Sequence, residues 1–312
     1  MDKDKLLDLE RQGYRVVGNH SAIKVCYWTK ECIRGNDVCY KNTFYGINTH
    51  QCVQMTPVLQ TCTHRCNWCW RDINHTSKEW VGKVDEPNMI IEGCIEAHKQ
   101  ALIGFKGNSD ADAEKYAEAN SPKHFALSLT GEPTFYPHLP EMIKELDRRE
   151  LTSFLVTNGT NPVMLRKLID SPPTQLYMTL PAPNKEIYSK VCSPLIEDGW
   201  EKIMNSLDLL KEYPRSVIRL TLVKNENMLN AEEYAKLADG KSDFVELKGY
   251  VWVGHSQERL TPKHQPTHEE IKEFANKIAK LLNYEVVKEK VNSKVVLLKN
   301  PNSKIGLNYW EN

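Results

Sequence analysis

The chain has 312 residues, 41 basic and 41 acidic side chains, and so a formal net charge of zero. Hydrophobic residues make up 40% and charged residues 26%, the balance of a soluble globular protein with one large α/β domain or two small ones. The charged start Met1-Asp2-Lys3-Asp4-Lys5 is followed by no long apolar run, so neither a secretory leader nor a spanning helix is expected, and the expected location is the cytoplasm with no membrane partner; a nucleic-acid partner would need a local basic face, since bulk charge announces none.

In chain order, residues 3–12 read as a short amphipathic helix closed by Gly13. A stretch dense in cysteine and aromatics follows, with little clean periodicity. Nine cysteines are many for a cytosolic chain, and seven of them lie between Cys26 and Cys69. An odd number crowded at one end argues for metal binding rather than a disulfide framework. Cys26, Cys39 and Cys52 are spaced thirteen residues apart, one ligand short of a closed site. Cys32 could supply the fourth; the alternative is a set of idle buried thiols.

Residues 51–61 read as a strand that delivers the stretch Cys62-Thr63-His64-Arg65-Cys66-Asn67-Trp68-Cys69-Trp70. Its C-x3-C-x2-C spacing puts three thiols on one short loop. A closed structural site needs four protein ligands, so three thiolates leave one metal position open to a small molecule. The competing reading is structural zinc with His64, His50 or His75 as fourth ligand, but zinc knuckles usually pair their ligands, and this triplet fits that pairing poorly.

Helical spacing predicts a helix over 89–105, with Cys94 and His98 on its apolar face as core residues. The acidic, alanine-rich stretch 108–120 shows no face to bury and reads as a surface insertion. Strands are predicted at 124–130, 152–157, 175–180, 217–223 and 244–247, and helices at 139–149, 163–170, 200–211 and 231–238. With the strand at 51–61, that alternation implies a six-stranded parallel sheet whose carboxyl-end loops carry the chemistry.

Two such ends stand out. Thr130-Gly131-Glu132-Pro133-Thr134 offers a glycine for close backbone approach and a carboxylate able to accept from an ammonium group. Thr157 and Asn158 offer hydroxyl and amide groups suited to ribose hydroxyls, or simply a polar turn before the next helix. Thr179, Thr221, Asn225, Glu246 and Lys248 point to a polar cavity without individual roles. A long helix over 267–282 and a hairpin of 284–290 with 294–299 end the chain. Lys288, Lys290, Lys294 and Lys299 on that hairpin either touch phosphate or solvate an edge. No repeat or linker appears, so the expected division is an extension over 1–50, a core over 51–260 and a C-terminal addition over 261–312.

The cysteine triplet, with an aromatic residue before its last member, resembles the loop of the radical S-adenosylmethionine (SAM) enzymes. Gly131 and Glu132 resemble the Gly-Gly-Glu motif of that family, with Thr130 in place of the first glycine. The resemblance implies a partial (β/α)6 barrel. It also implies a 4Fe–4S cluster on Cys62, Cys66 and Cys69 whose open iron takes SAM, and SAM contacts from Gly131, Glu132, Thr157 and Asn158. Together with the three upstream cysteines and the stretch Val245-Glu246-Leu247-Lys248-Gly249-Tyr250, the chain is similar over nearly its whole length to the wyosine-forming family, the tRNA 4-demethylwyosine synthases.

That narrower resemblance implies a lyase. Its 5′-deoxyadenosyl radical takes hydrogen from the methyl group of N1-methylguanosine-37 in tRNA(Phe). The methylene radical then adds to pyruvate, whose carboxyl fragment is lost, and ring closure gives 4-demethylwyosine. It also implies a second 4Fe–4S cluster on Cys26, Cys39 and Cys52. Lys41 matches the lysine that forms a Schiff base with pyruvate, and a lysine beside a cluster is expected to lose proton affinity and gain nucleophilicity. A flavodoxin-like domain precedes this region in eukaryotic relatives and is not seen here, so an external flavodoxin- or ferredoxin-type donor is expected, as is a monomer. Tyr27, Trp28, Trp68, Trp70, Arg71, Trp80 and Trp252 are available to stack on anticodon-loop bases, or to serve as core. The alternative within the superfamily is an enzyme that acts on a protein or peptide and carries an auxiliary cluster.

Overall fold

The structure, a computed structural model, describes residues 3–74, 76–80 and 82–309. Helix α1 (Lys3–Arg11) leads into two short strands, β1 (Arg15–Val17) and β2 (Ser21–Ile23), which pair antiparallel. Helices α2 (Tyr27–Ile33) and α3 (Tyr40–Tyr45) follow, and β2 then pairs antiparallel with β3 (Cys52–Thr56). From β3 onward β4 (His124–Leu127), β5 (Thr152–Thr157), β6 (Gln175–Thr179), β7 (Ser216–Leu222) and β8 (Phe244–Gly249) lie parallel and in chain order. The hairpin β9 (Glu285–Lys290) and β10 (Val295–Lys299) adds to the far edge, with β10 antiparallel to β8. The ten strands make one sheet, and all three sequence segments contribute to it.

The crossovers are helical: α4 (Pro87–Leu102) and α5 (Ala113–Ala119) before β4, α6 (Leu139–Arg148) before β5, α7 (Pro162–Leu168) before β6. Helices α8 (Lys185–Cys192) and α9 (Gly199–Leu209) precede β7, α10 (Ala231–Ala238) precedes β8, and α11 (His268–Leu282) precedes the hairpin. Several start as their sequences dictate. Proline at the first turn opens α4, α6 and α7, and a Thr267/Glu270 capping box opens α11.

Strand alternation sorts the residues into two cores. One face of the sheet, with Met55, Leu127, Leu155, Met178, Leu220 and Leu247, packs against the crossover helices. The other face, with Ala126, Phe154, Tyr177, Val217 and Phe244, is covered by Tyr40, Phe44 and Tyr45 of α3. In an ordinary barrel the second face would close on itself. Here the cysteine-rich extension fills it, and each buried aromatic there contributes roughly 1.5–3 kcal/mol.

The six-stranded parallel alternation expected from sequence is present, within a wider sheet. Four local expectations are corrected. The strand expected over 51–61 is only Cys52–Thr56, because Thr56 turns its hydroxyl to the carbonyls of Val58 and Thr130 and ends the ladder. Strands β1 and β2, three residues each and too short for alternation to show, were not foreseen, nor were helices α2, α3 and α8. The stretch 108–120 is not a faceless insertion. Asp112 caps α5 by accepting from the Glu114 and Lys115 amides, Ala119 is buried, and Glu118 holds His50. Of the hairpin lysines, Lys290 pairs with Asp37 of the extension, and Lys294 donates to the Pro266 carbonyl. Cys94 and His98 are core residues, as expected.

Candidate active site

The loop Cys62–Cys69 is held mostly through its backbone. Its amides reach the carbonyl end of α8, where Arg65 N donates to Cys192 O at 2.8 Å and Asn67 N to Val191 O at 2.9 Å. The last carbonyls of a helix lack partners of their own, so they suit this dock. From the other side Arg259 donates to the carbonyls of Asn67 and Cys69, and His255 N to Trp70 O. The buried Arg71 guanidinium interacts electrostatically with Cys62, Cys66 and Cys69 and bonds Cys69. Burial pushes the Cys62 thiol up to about 12, so it becomes a ligand only when a metal displaces its proton.

Gly131 brings the end of β4 against this loop. Its φ is +69°, and a Cβ there would lie 1.8 Å from the Val58 carbonyl oxygen. Next to it, Glu132 N donates to Thr61 O at 2.8 Å. The Glu132 side chain, 2% exposed, accepts from Thr134 N, Thr134 Oγ1 and Thr157 Oγ1 at one oxygen and from Asn158 N at the other. Burial raises its pKa, and these four donors oppose the shift. Asn158 reaches back to Thr63 Oγ1 at 3.0 Å and Cys62 Sγ at 3.7 Å. Gly131, Glu132, Thr157 and Asn158 thus line one cavity of about 150 Å³ with Cys62 and Cys66. Thr157 is 1% exposed and spends its hydroxyl on Glu132, so at the cavity wall its part is to fix that carboxylate.

A second cavity of about 240 Å³ lies inside the barrel, lined by Cys26, Cys39, Cys52, Lys41, Arg219 and Lys248 among others. Cys26 and Cys39 stand at the amino-terminal caps of α2 and α3, and Cys52 opens β3, so three separate elements aim thiols at one place. Burial pushes Cys39 up to about 11 and Cys52 to about 12. Three thiols without a fourth fit a cluster that keeps one position open. Cys32 is not in this group: its sulfur faces His50 Nδ1 at 3.5 Å, which corrects its candidacy as fourth ligand. The Lys41 amine lies between the rings of Phe154 and Tyr177, 4.8 and 4.7 Å from their centroids, and has no hydrogen-bond acceptor among the described residues. Burial, then Arg219, lowers its pKa below the ordinary lysine value. Lys248 is pushed down to about 8 for the same reasons.

The two cavities adjoin: Ser128 and Val156 line both. Sequence reasoning missed how the second is braced. Arg219 bonds Glu246 Oε2 at 2.9 Å and Tyr40, and Glu246 also accepts from Tyr45 at 2.7 Å. Alternation along β7 and β8 puts Arg219, Glu246 and Lys248 on the inner face, a signal that was readable; that α3 would meet them was not. Of the zinc candidates, His50 is engaged by Glu118 and Cys32, and His75 lies outside the described residues. His64 bonds Tyr188 at 2.8 Å and lies within 4.8 Å of Cys66 and Cys192, a group that leaves out Cys62 and Cys69. Among the aromatics, Trp70 stacks on Tyr14, Trp80 packs edge-on to His20, and Trp252 donates to Leu260 O. Trp28 and Trp68 line the cavities, and Tyr27 is 63% exposed. No helix among the described residues is long and apolar enough to cross a membrane.

Comparison with known proteins narrows the reading. Residues 56–238 match the radical SAM superfamily and residues 239–300 the family of wyosine base formation. The S-adenosyl-L-methionine-dependent tRNA 4-demethylwyosine synthase of Pyrococcus abyssi is 46% identical over 294 residues, covering 92% of this chain and 86% of that protein. The human enzyme of the same description is 40% identical over 97% of this chain, which spans 42% of the human protein. The solved structure of TYW1 with a lysine-pyruvate adduct bound superposes with a TM-score of 0.89 at 34% identity, covering 99% of each chain. This chain therefore belongs to the radical SAM family of S-adenosyl-L-methionine-dependent tRNA 4-demethylwyosine synthases.

Proposed function

We propose that the chain is a carbon–carbon lyase that condenses N1-methylguanosine-37 of tRNA(Phe) with pyruvate to form 4-demethylwyosine. The observation that carries this reading is the shared wall at Ser128 and Val156, which joins a cavity suited to SAM to one suited to a 2-oxo acid. Cys62, Cys66 and Cys69 would hold one 4Fe–4S cluster, and Cys26, Cys39 and Cys52 would hold a second. When bound, the first cluster with SAM supplies the 5′-deoxyadenosyl radical that takes hydrogen from the N1-methyl group. Gly131 keeps the β4 end against the cysteine loop. Glu132 and Asn158 present acceptor and amide groups to the SAM cavity, and Thr157 fixes Glu132.

Lys41 adds its amine to the pyruvate carbonyl and releases water, which fixes the acceptor carbon beside the first cavity. Its seat between two rings, without a competing acceptor, leaves the nitrogen lone pair available once the proton has gone. The relative solved with a lysine-pyruvate adduct supports this step. Electrons come from an external flavodoxin- or ferredoxin-type donor, and the enzyme works as a cytoplasmic monomer. The segments 1–50, 51–260 and 261–312 are read as extension, radical core and C-terminal addition. Exposed Tyr27 meets the anticodon loop, and phosphate contacts from a local Lys/Arg face make tRNA binding weaken with salt. Borohydride reduction with labelled pyruvate is the direct test: wild type takes up label and Lys41→Ala does not. Equal labelling of both would remove Lys41 from the mechanism.

A further inference from the structure

The inner cavity contains a second lysine whose situation differs from that of Lys41. Lys248 projects from β8 into the same cavity and donates to the Ser293 carbonyl at 3.0 Å, with its ammonium 5.1 Å from the centre of the Tyr40 ring. No carboxylate pairs with it among the described residues. The one acid nearby, Glu246, is fully buried and already engaged by Arg219 and Tyr45. The Arg219–Glu246 pair is neutral as a unit, so Lys41 and Lys248 are the amines of the cavity that no carboxylate engages. A buried cation without a partner is costly, and an anion that enters beside it recovers much of that cost.

The two amines are held in ways that divide the work. Lys41 has no acceptor and is free to condense; Lys248 is tethered to a backbone carbonyl and kept in place. A 2-oxo acid carries its carboxylate on the carbon next to its carbonyl. An acid whose carbonyl reaches Lys41 therefore brings its carboxylate into the cavity that Lys248 also lines. We propose that Lys248 binds the carboxylate of pyruvate and so makes the cavity selective for 2-oxo acids over neutral carbonyl compounds. The assignment rests on the pyruvate reading above. Arg219, locked by Glu246 and Tyr40, is a positioning residue that keeps the wall behind Lys248 in shape.

The test uses the reconstituted enzyme and two readouts. In equilibrium dialysis with labelled pyruvate, Lys41→Ala, which cannot form the imine, is compared with Lys41→Ala/Lys248→Met. Loss of one charge-assisted hydrogen bond should weaken retention by about tenfold or more. In borohydride trapping, Lys248→Met should need about tenfold more pyruvate for half-maximal labelling. Trapping of methyl pyruvate, the uncharged ester, should stay at the wild-type level, and Lys248→Arg should recover part of the pyruvate response. Iron and sulfide content should match wild type throughout. Equal pyruvate retention in the two dialysis variants would overturn the proposal. So would an equal loss for pyruvate and its ester, or a loss of iron, which would make Lys248 a support of the cluster. A wild type that takes up no label, with retention still dependent on Lys248, would overturn the Lys41 imine and leave the carboxylate site standing.

Discussion

The two cysteine sites are built on opposite plans. Cys62, Cys66 and Cys69 come from one loop of eight residues, docked on the end of α8 and clasped by Arg259. Cys26, Cys39 and Cys52 come from two helix caps and a strand start, and meet only because the extension packs into the open face of the sheet. The first site is local in sequence, and its precision comes from backbone hydrogen bonds. The second is a product of tertiary packing, and its precision comes from aromatic side chains and a buried ion pair. Loss of packing should therefore damage the second site and spare the first, while backbone strain at the β4 end should do the reverse.

The largest effects come from the ligand sets themselves. Iron per reconstituted chain should fall from about eight to about four both for Cys62/Cys66/Cys69→Ala and for Cys26/Cys39/Cys52→Ala. Only the second variant should still cleave SAM reductively. Four irons in wild type, unchanged by removing the upstream cysteines, would end the two-site comparison.

Gly131→Ala should come next. The left-handed backbone alone costs an alanine about 1–2 kcal/mol, and its Cβ would also overlap the Val58 carbonyl, which no rotamer can relieve. Iron and SAM cleavage should be lost from the loop site, while borohydride labelling of Lys41 persists. Retained SAM cleavage would show that the β4 end does not set the loop.

Arg219→Met inverts that pattern, since it strands Glu246 without its partner at 0% side-chain exposure. Breaking a buried pair in this way costs roughly 3–5 kcal/mol. Chemical denaturation should show that loss, and pyruvate labelling should fall while SAM cleavage remains. A stability equal to wild type would mean that the extension is held by its aromatics alone.

The smallest effect concerns the Lys290–Asp37 pair, which ties the hairpin to the extension at 2.5 Å. Lys290 and the Asn292 amide hold Asp37 down at about 2, below its ordinary value near 3.8. A depressed carboxylate contributes stability that is complete above the ordinary value and is lost as pH falls through the folded one, here between about 4 and 2. Exposure and salt keep the pair to roughly 1 kcal/mol or less. Acid unfolding of Lys290→Ala should start at slightly higher pH than wild type, and a matching profile would remove this tie from the account.

Much of the loop site was legible because its signals are local. Cys62, Cys66 and Cys69 are close in sequence, and Gly131 and Glu132 follow directly on a recognisable strand. The long amphipathic elements, α4, α6 and α11, showed their periodicity for the same reason. Helix α8 did not, yet its last carbonyls accept from the Arg65 and Asn67 amides of the cysteine loop. Helix α5 looked faceless because its contacts to the extension run through Glu118 and a single buried alanine.

By itself the sequence determined the alternating architecture and displayed the two cysteine sets, since both follow from residue type and spacing along the chain, while Lys41 was singled out by its match to the family. Tertiary structure alone decided that Cys32 turns away to His50 and that Thr157 gives its hydroxyl to Glu132. It also decided that Lys248 shares the cavity of Lys41 without a carboxylate partner, and that Ser128 and Val156 form a wall common to both cavities. The physical reason is range. Spacing records which residues travel together along a strand or helix. The filling of the sheet's open face by a segment that begins before β3 is a contact between distant parts of the chain, and only packing and charge balance in three dimensions select it.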